Sequence, residues 1–153
     1  MRRTKTLDLK IKIHPFCPND NPISDPARPG DIGLDLKCWV DNKKGEVSIL
    51  PWNWMNIRTG VFIELPEGCW ADVRSRSSTF CKRHLFVLQG VIDPLFRGEL
   101  SVIVWNATGQ HHLVKTGDRL AQLIIMPVMT PKIKIVKRLS KTDRNELGFG
   151  STG

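Results

Sequence analysis

The sequence contains no apolar run long enough to cross a membrane. Its charged start, Met1-Arg-Arg-Thr-Lys, is not followed by the apolar segment that would mark a secretory signal. The sequence contains no internal repeat. Its 153 residues are enough for one domain with a hydrophobic core. We therefore expect a single-domain cytoplasmic protein, or one inside a host cell if the source is viral.

Cysteine and histidine are scarce and lack the spacings of metal sites. The four cysteines form no CxxC pair, and the four histidines form no HExxH pattern. We therefore predict no metal site built from protein side chains. The cysteines are expected to be reduced, mostly buried thiols. They are Cys17, Cys38, Cys69 and Cys81.

Positive charge is abundant, with a net charge of +8 and a pI of about 9.6. A basic chain attracts polyanions, either nucleic acid or phosphorylated small molecules. The lysines and arginines are scattered, however, with little aromatic interleaving. This distribution favours a solvated surface, and no nucleic-acid partner is expected.

Short β-strand patterns separated by turn residues dominate the chain. Many short strands with this spacing favour an all-β sandwich, barrel or jelly roll. One exception is residues 77–84, where hydroxyl residues predict an N-cap and a short helix facing an anion. From Leu139 onward the sequence resembles a tail. The predicted strands cover residues 7–13, 47–50, 57–65, 69–73, 85–92, 100–105, 120–128 and 132–136.

Two segments in the first half of the chain combine turn residues with groups that bind anions. Gly33-Leu-Asp-Leu follows a proline- and glycine-rich loop, and by itself indicates a turn that leads into a strand. Arg74-Ser-Arg-Ser-Ser packs two guanidinium groups and three hydroxyls into five residues. The second segment is either a phosphate clamp or a polar turn with an N-cap.

Within residues 90–99, an apolar strand pattern ends abruptly at an acidic residue, Asp93, which is followed by a proline. An aspartate held at a strand end beside phosphates can orient or deprotonate a water molecule. The alternative is an ordinary β-turn with Phe96 in the core. Further on, Gln122 offers an amide within residues 117–123. In the alternative, structural interpretation of this segment, Asp118 and Arg119 pair with each other and fix a loop.

The last ten residues, 144–153, combine an arginine, one aromatic ring, three glycines, a serine and a threonine. Glycine lets backbone N–H groups approach a phosphate, and arginine and hydroxyls complete an anion cradle. An aromatic ring offers a face for base stacking. Taken alone, this segment indicates a flexible phosphate-binding flap or a frayed polar terminus.

In this order the five segments resemble the five motifs of the trimeric dUTP pyrophosphatases, or dUTPases, over nearly the whole chain. The resemblance implies a jelly-roll-like β-barrel with one short helix, assembled as a homotrimer with active sites at subunit interfaces. It divides the chain into a barrel domain, residues 1–138, and a C-terminal arm, residues 139–153, that closes over an active site. The implied reaction converts dUTP and water to dUMP and pyrophosphate, with Mg²⁺ bound to the triphosphate and water.

The resemblance also implies roles for individual residues. Asp93 would activate the attacking water, and Asp35 would act through the neighbourhood of Arg76 or through metal-bound water. Phe96, where the family usually has tyrosine, would stack under the deoxyribose and exclude a 2′-hydroxyl. Phosphate binding falls to Arg76, Ser77, Ser78, Gln122 and Arg144, with Gly150, Ser151 and Thr152 wrapping the phosphates. Uracil recognition falls to Val87, Gly90, Val91 and Ile92 through the backbone, and to Phe149, which would cover the base.

Two rival functions share this scaffold. A dCTP deaminase, or a bifunctional deaminase–dUTPase, needs a catalytic glutamate three residues before the asparagine of the following strand. That position is Ile103, whose aliphatic side chain cannot shuttle protons. The rival from another class is a non-enzymatic regulatory binding protein, against which Asp93 and the intact arm argue.

Overall fold

The computed structural model describes residues 7–26, 28–88 and 90–142. In this part of the chain, eleven β-strands and one seven-residue helix follow one another, which confirms the all-β, jelly-roll-like fold. The first six strands are β1 (Lys10–Ile13), β2 (Ile23–Ser24), β3 (Leu34–Lys37), β4 (Glu46–Ile49), β5 (Trp54–Glu64) and β6 (Cys69–Ser75). After them come α1 (Ser77–Arg83), β7 (Leu85–Val87), β8 (Gly90–Ile92), β9 (Glu99–Asn106), β10 (His112–Lys115) and β11 (Arg119–Pro127).

The strands form two larger antiparallel sheets and a two-stranded ribbon. One sheet has the strand order β1-β5-β9-β7, and the other has the order β2-β3-β11-β6-β8. The ribbon pairs β10 with β4. Strand β6 lies between β11 and β8, so residues along β6 connect regions that are distant in sequence.

Alternating side chains build the core between the sheets. In β9, Leu100, Val102 and Val104 are buried, whereas Trp105 on the opposite face is partly exposed. A two-residue period of this kind places one face of a strand against the core. Each fully buried valine or leucine contributes about 1.5–3 kcal/mol relative to exposure.

The expected strand at residues 85–92 divides into two strands that belong to different sheets. Strand β7 pairs with β9, whereas β8 pairs with β6. The backbone N–H of Leu88 still donates to the carbonyl of Ile103, so the chain leaves the first sheet only after that point. The apolar run is interrupted in the sequence at Gln89-Gly90, where β8 begins, and the prediction of one strand was wrong.

Residues 132–136 form no strand, although Lys132, Ile133, Lys134 and Ile135 alternate as the sequence suggested. Ile133 and Ile135 are 92% and 95% exposed. A strand requires a hydrogen-bonding partner, and the segment pairs with no strand in the described part of the chain. The prediction of a strand was therefore wrong for the isolated chain. Alternation shows that a strand would have one apolar and one polar face, but it does not provide the neighbouring strand that pairing requires.

The short helix lies where it was expected, but its N-cap differs. The cap residue is Arg76, which makes no side-chain hydrogen bond to the helix, and Ser77 and Ser78 begin the first turn. The prediction of a hydroxyl cap was therefore wrong. His84 ends the helix in the left-handed conformation, with its N–H bonded to the Phe80 carbonyl.

All four cysteines are free, and their burial varies along the chain. Cys38 and Cys69 are buried, Cys17 is half-buried and Cys81 is exposed. Burial, with a contribution from the Asp118 carboxylate, raises the pKa of Cys38 to about 12. This thiol is therefore protonated and unreactive at neutral pH. Separately, among the described residues no helix is long and apolar enough to cross a membrane.

Candidate functional site

A cavity of about 550 Å³ lies where β6 passes into α1. It unites five residues singled out from the sequence, namely Asp35, Arg76, Ser77, Ser78 and Gln122. The rest of its lining comes from Gly30, Asp31, Ile32, Gly33 and Ile124. Asp31 and Ile32 had no distinguishing sequence signal, since their loop carries only the turn residues expected of any loop.

Strand register explains why these residues meet. Strand β11 runs between β3 and β6, and Gln122 lies opposite Asp35 on one side and Arg74 on the other. Directly paired residues project to the same face of a sheet. The carboxylate and the amide therefore share one face, and α1 begins beside them.

The Arg76 guanidinium is fixed by a buried carboxylate. Its Nε lies 2.7 Å from Oδ1 of Asp35, which is 7% exposed. The second oxygen of Asp35 lies 3.4 Å from Nη1 of Arg119. Both carboxylate oxygens are thus engaged by arginines, and an orientation held by a buried ion pair leaves the guanidinium little freedom.

Asp118 and Arg119 do not pair with each other, and that alternative reading of the loop was wrong. Asp118 instead binds Arg83 of α1, with 2.8 Å between Oδ2 and Nη1, while Arg119 reaches Asp35. Asp118 lies in the turn before β11, whereas Arg119 is the first residue of that strand, and their side chains have separate partners. Sequence offered no signal for Arg83, because its partner is 35 residues away.

Gln122 is held against Gly33. Its Nε2 donates to the Ser75 carbonyl at 3.2 Å. A Cβ placed on Gly33 would overlap the Oε1 of Gln122. Only glycine at position 33 therefore leaves the amide in its observed place.

The hydroxyls of Ser77 and Ser78 open the first turn of α1 beside this amide. Ser77 is exposed and Ser78 is half-buried, so both hydroxyls are accessible from solvent. With the guanidinium and the amide, they give the cavity donors suited to phosphate oxygens. Its two carboxylates, Asp31 and Asp35, outnumber its one guanidinium.

Asp93 and Phe96 lie in a turn after β8, away from the cavity. The Phe96 N–H donates to the Asp93 carbonyl at 3.0 Å, and Arg97 Nη1 bridges the carbonyls of Pro94 and Phe96 at 2.9 and 2.8 Å. The Phe96 ring rests on Gly98, where an added Cβ would lie 2.6 Å from Cζ. Asp93 is exposed, and Phe96 is 38% exposed and so stands outside the core.

Opposite ends of β6 separate this turn from the cavity. Ile92 lies opposite Ala71, and Asp93 follows it in the direction away from Arg76. About six residues of strand therefore separate the two positions along β6, or roughly 20 Å at ~3.3 Å per residue. Within one chain, the structure does not bring Asp93 together with Arg76.

The other predicted site residues belong to β7, to β8 and to the C-terminal arm. Val87 is buried in the opposite sheet and pairs with Val104, so only its backbone is available to a ligand. Gly90, Val91 and Ile92 form β8, at the edge of the five-stranded sheet. Arg144, Phe149, Gly150, Ser151 and Thr152 lie outside the described residues.

The described side chains form no set of ligands for a divalent cation. No group of three or more His, Cys, Asp or Glu residues in that part of the chain is placed to hold a metal ion. The donor set of the cavity instead suits anionic oxygens. A metal that accompanies a phosphate ligand fits these residues better than one bound by the protein itself.

Comparisons with known proteins agree on one family. The family model described as dUTPase matches residues 19–153. A deoxyuridine 5′-triphosphate nucleotidohydrolase from Hydrogenobaculum sp. (strain Y04AAS1) is 42% identical over 129 residues, covering 83% of this chain and 87% of the relative. Its counterpart from Anaplasma marginale (strain St. Maries) is 38% identical over 148 residues, covering 95% and 99%.

A solved structure extends the likeness to three dimensions. The dUTPase of Staphylococcus bacteriophage 80alpha, determined with dUPNHPP, superposes with a TM-score of 0.81 at 27% identity. The match covers 97% of this chain and 99% of the phage chain.

Proposed function

The chain belongs to the dUTPase family, and we propose that it hydrolyses dUTP to dUMP and pyrophosphate. The observation that carries the proposal is the cavity in which Arg76, Ser77, Ser78 and Gln122 converge. These groups donate hydrogen bonds to anionic oxygens, and the guanidinium is already oriented by Asp35. Asp35 therefore acts through Arg76 in this proposal.

Binding and orientation supply most of the rate enhancement. Donors fixed before the substrate arrives neutralise the charge on phosphate oxygens without reorganising. Asp93 accepts a proton from the water that attacks the α-phosphorus, a role typically worth ~10²–10⁴-fold in rate. Phe96 stacks under the deoxyribose, and the backbone of Val87 and of Gly90, Val91 and Ile92 reads the uracil.

One active site requires two copies of the chain. About 20 Å of strand separates Asp93 from Arg76, so a second copy must bring its own Asp93 to the cavity. We propose a homotrimer, in which a ring of identical heterologous contacts closes on itself. The arm of residues 139–153 closes over a site, with Arg144 at the phosphates and Phe149 over the base. Gly150, Ser151 and Thr152 wrap the phosphates.

Charge explains the need for magnesium. A triphosphate carries several negative charges, whereas the cavity pairs one guanidinium with the carboxylates of Asp31 and Asp35. When bound to the phosphate oxygens and water, Mg²⁺ supplies the missing positive charge. The side chains of the cavity then contact the phosphates directly.

Deamination is not favoured by this geometry. Ile103 is half-buried in β9 at the position where a deaminase needs a carboxylate. An aliphatic side chain holds no proton to transfer. A role limited to regulatory binding would leave the oriented guanidinium and the acid at Asp93 without a chemical purpose.

The test is release of pyrophosphate from dUTP, dCTP, dTTP and UTP, with and without Mg²⁺. We expect rapid hydrolysis of dUTP alone, dependent on Mg²⁺, and a loss of at least ~100-fold in kcat for Asp93→Asn. Asp20→Asn, at another exposed aspartate, is the matched control and should keep the rate of the wild type. Equal rates for wild type and Asp93→Asn would refute the mechanism. Ammonia release from dCTP would indicate a deaminase, and binding of dUTP without turnover a regulatory protein.

A further inference from the structure

Three residues in and beside α1 contact one short segment at the start of β11. Arg76, Thr79 and Arg83 are spaced three and four residues apart, so they lie on one face of the helix. That face meets residues 118–120. The contact therefore links the cavity end of α1 and its far end to the same piece of backbone.

The cavity end is held by one backbone carbonyl group. The hydroxyl of Thr79, which is fully buried, donates to the Leu120 carbonyl at 2.7 Å. The backbone N–H of Arg76 donates to the same carbonyl at 3.2 Å. Gln122 follows two residues later in the strand, so these bonds relate the helix start to the amide.

The far end is held by an ion pair. Arg83 Nη1 lies 2.8 Å from Oδ2 of Asp118, and each side chain is 30% exposed. Nη2 of Arg83 also donates to the Leu113 carbonyl. The same Asp118 oxygen accepts the Lys115 N–H at 3.1 Å. One guanidinium thus connects the helix end to two backbone segments.

Asp118 is itself a fixed anchor. Its carbonyl accepts the Cys38 N–H at 2.8 Å, and the Gly117 N–H donates to the Cys38 carbonyl at 2.9 Å. A carboxylate on backbone that is tied to Cys38 by two hydrogen bonds has a defined position. The helix, by contrast, has only seven residues. Helices shorter than ~12 residues are marginal alone, so α1 takes its orientation from tertiary contacts.

We infer that Arg83 and Asp118 are a positioning pair for phosphate binding. They set the tilt of α1 and thereby hold Arg76, Ser77 and Ser78 at the separation from Gln122 that a phosphate chain requires. Neither residue lines the cavity. The inference rests on the proposed function only in naming a triphosphate as the ligand.

Small misplacements matter at such a site. A shift of ~1 Å in a positioning group costs as much as ~100-fold in rate. We expect Arg83→Ala and Asp118→Asn each to weaken binding of inorganic tripolyphosphate, with Mg²⁺ present, by roughly tenfold. The double variant should lose little more than Arg83→Ala alone, because both substitutions act on the same ion pair and Arg83→Ala already removes it completely.

The experiment measures tripolyphosphate binding by calorimetry, together with kcat and KM for dUTP, in the full-length protein. Lys82→Ala is the matched control, since it removes an equal charge from the same helix at an exposed position. Arg83→Lys should recover most of the lost binding. Asp118→Asn preserves side-chain volume and serves if Arg83→Ala does not fold.

Several results would overturn the inference. They are unchanged binding by Arg83→Ala, an equal loss in Lys82→Ala, fully additive losses in the double variant, or no recovery by Arg83→Lys. A wild type that binds tripolyphosphate but leaves dUTP intact would refute the proposed function alone. The effect of Arg83 and Asp118 on tripolyphosphate binding would still decide the positioning role.

Discussion

Asp72 carries a buried carboxylate that is only half satisfied. It lies in β6, 4% exposed, opposite Val91 on one side and Ile124 on the other. Its Oδ2 accepts from Arg74 Nε at 2.7 Å, whereas its Oδ1 is buried without a hydrogen-bond partner. An unpaired buried oxygen of this kind costs about 1–3 kcal/mol.

Replacing this residue should therefore stabilise the protein. We expect Asp72→Val to raise the free energy of unfolding by about 1 kcal/mol, because valine suits a strand between Val91 and Ile124. The measurement is urea denaturation at pH 7. Arg74→Ala should have the opposite sign, since it leaves the carboxylate buried and unpaired. A lower midpoint for Asp72→Val than for wild type would show that the ion pair of Asp72 with Arg74 contributes more stability than the unpaired Oδ1 costs.

Gly33 controls the position of Gln122. A methyl group at this position would overlap Oε1, so Gly33→Ala should push the amide out of the cavity. We expect about a tenfold rise in KM for dUTP, the loss of roughly one hydrogen bond to a charged group. Gly109→Ala, where an added Cβ meets nothing within 4 Å, is the control. An unchanged KM in Gly33→Ala would remove Gln122 from the proposed phosphate contacts.

Among the strands, β5 and β9 are joined across a bulge by Glu99. Its carboxylate accepts from Arg58 at 3.0–3.2 Å and from the Gly60 N–H at 2.9 Å, where the register shifts. Partial burial by itself would raise the pKa of Glu99. The hydrogen bonds from Arg58 and Gly60 outweigh it and hold that pKa below its usual 4.5.

This depressed pKa makes the bulge sensitive to acid. The unfolded chain binds a proton near pH 4.5 while the folded chain does not, so stability falls as pH drops below that value. Glu99→Gln should lower Tm at pH 7, and its difference from wild type should shrink towards pH 3. Glu67→Gln, at an exposed turn, should differ little from wild type at either pH. A Glu99→Gln deficit that stays constant with pH would exclude ionisation as its cause.

Elements that depend on local pattern were predictable, and elements that depend on a distant partner were not. Runs rich in β-branched or aromatic residues identified β6 and β11, and hydroxyls marked the position of α1. The apolar and polar alternation at residues 132–136 produced no strand, since pairing needs a neighbouring strand that the sequence does not specify. The Arg83–Asp118 ion pair could not be predicted for the same reason. The sequence suggested instead that Asp118 could pair with the adjacent Arg119.

Site residues show the same division. Asp35, Arg76 and Gln122 were selected as separate segments, and antiparallel register brings them together. Asp93 and Arg76 are 17 positions apart in the chain, yet β8 runs back along β6 and carries Asp93 away. Chain direction after a turn is a property of the sheet, which is why the separation emerged only in three dimensions.

For the whole molecule, exposed apolar side chains point to contact with further copies. After β11 the chain continues through residues 128–142 without regular structure. Met129, Ile133, Ile135 and Leu139 are each at least 87% exposed there. An apolar segment of this kind is stable in water when another surface covers it. We propose that the assembly that completes the active site also covers this segment.

Mixing two inactive variants tests that assembly directly. Asp93→Asn lacks the proposed base and Arg76→Ala lacks the guanidinium proposed to bind phosphate, so each variant alone should be inactive as the proposed homotrimer. If one copy supplies Asp93 and another supplies Arg76, randomly mixed trimers from co-expression should contain intact sites at about a quarter of positions, with about that fraction of wild-type activity. The control mixes Asp93→Asn with the double variant Asp93→Asn/Arg76→Ala, in which no intact site can form. Failure of the first mixture to regain activity, with mixed trimers verified by mass spectrometry, would place both residues in one chain and refute the shared site.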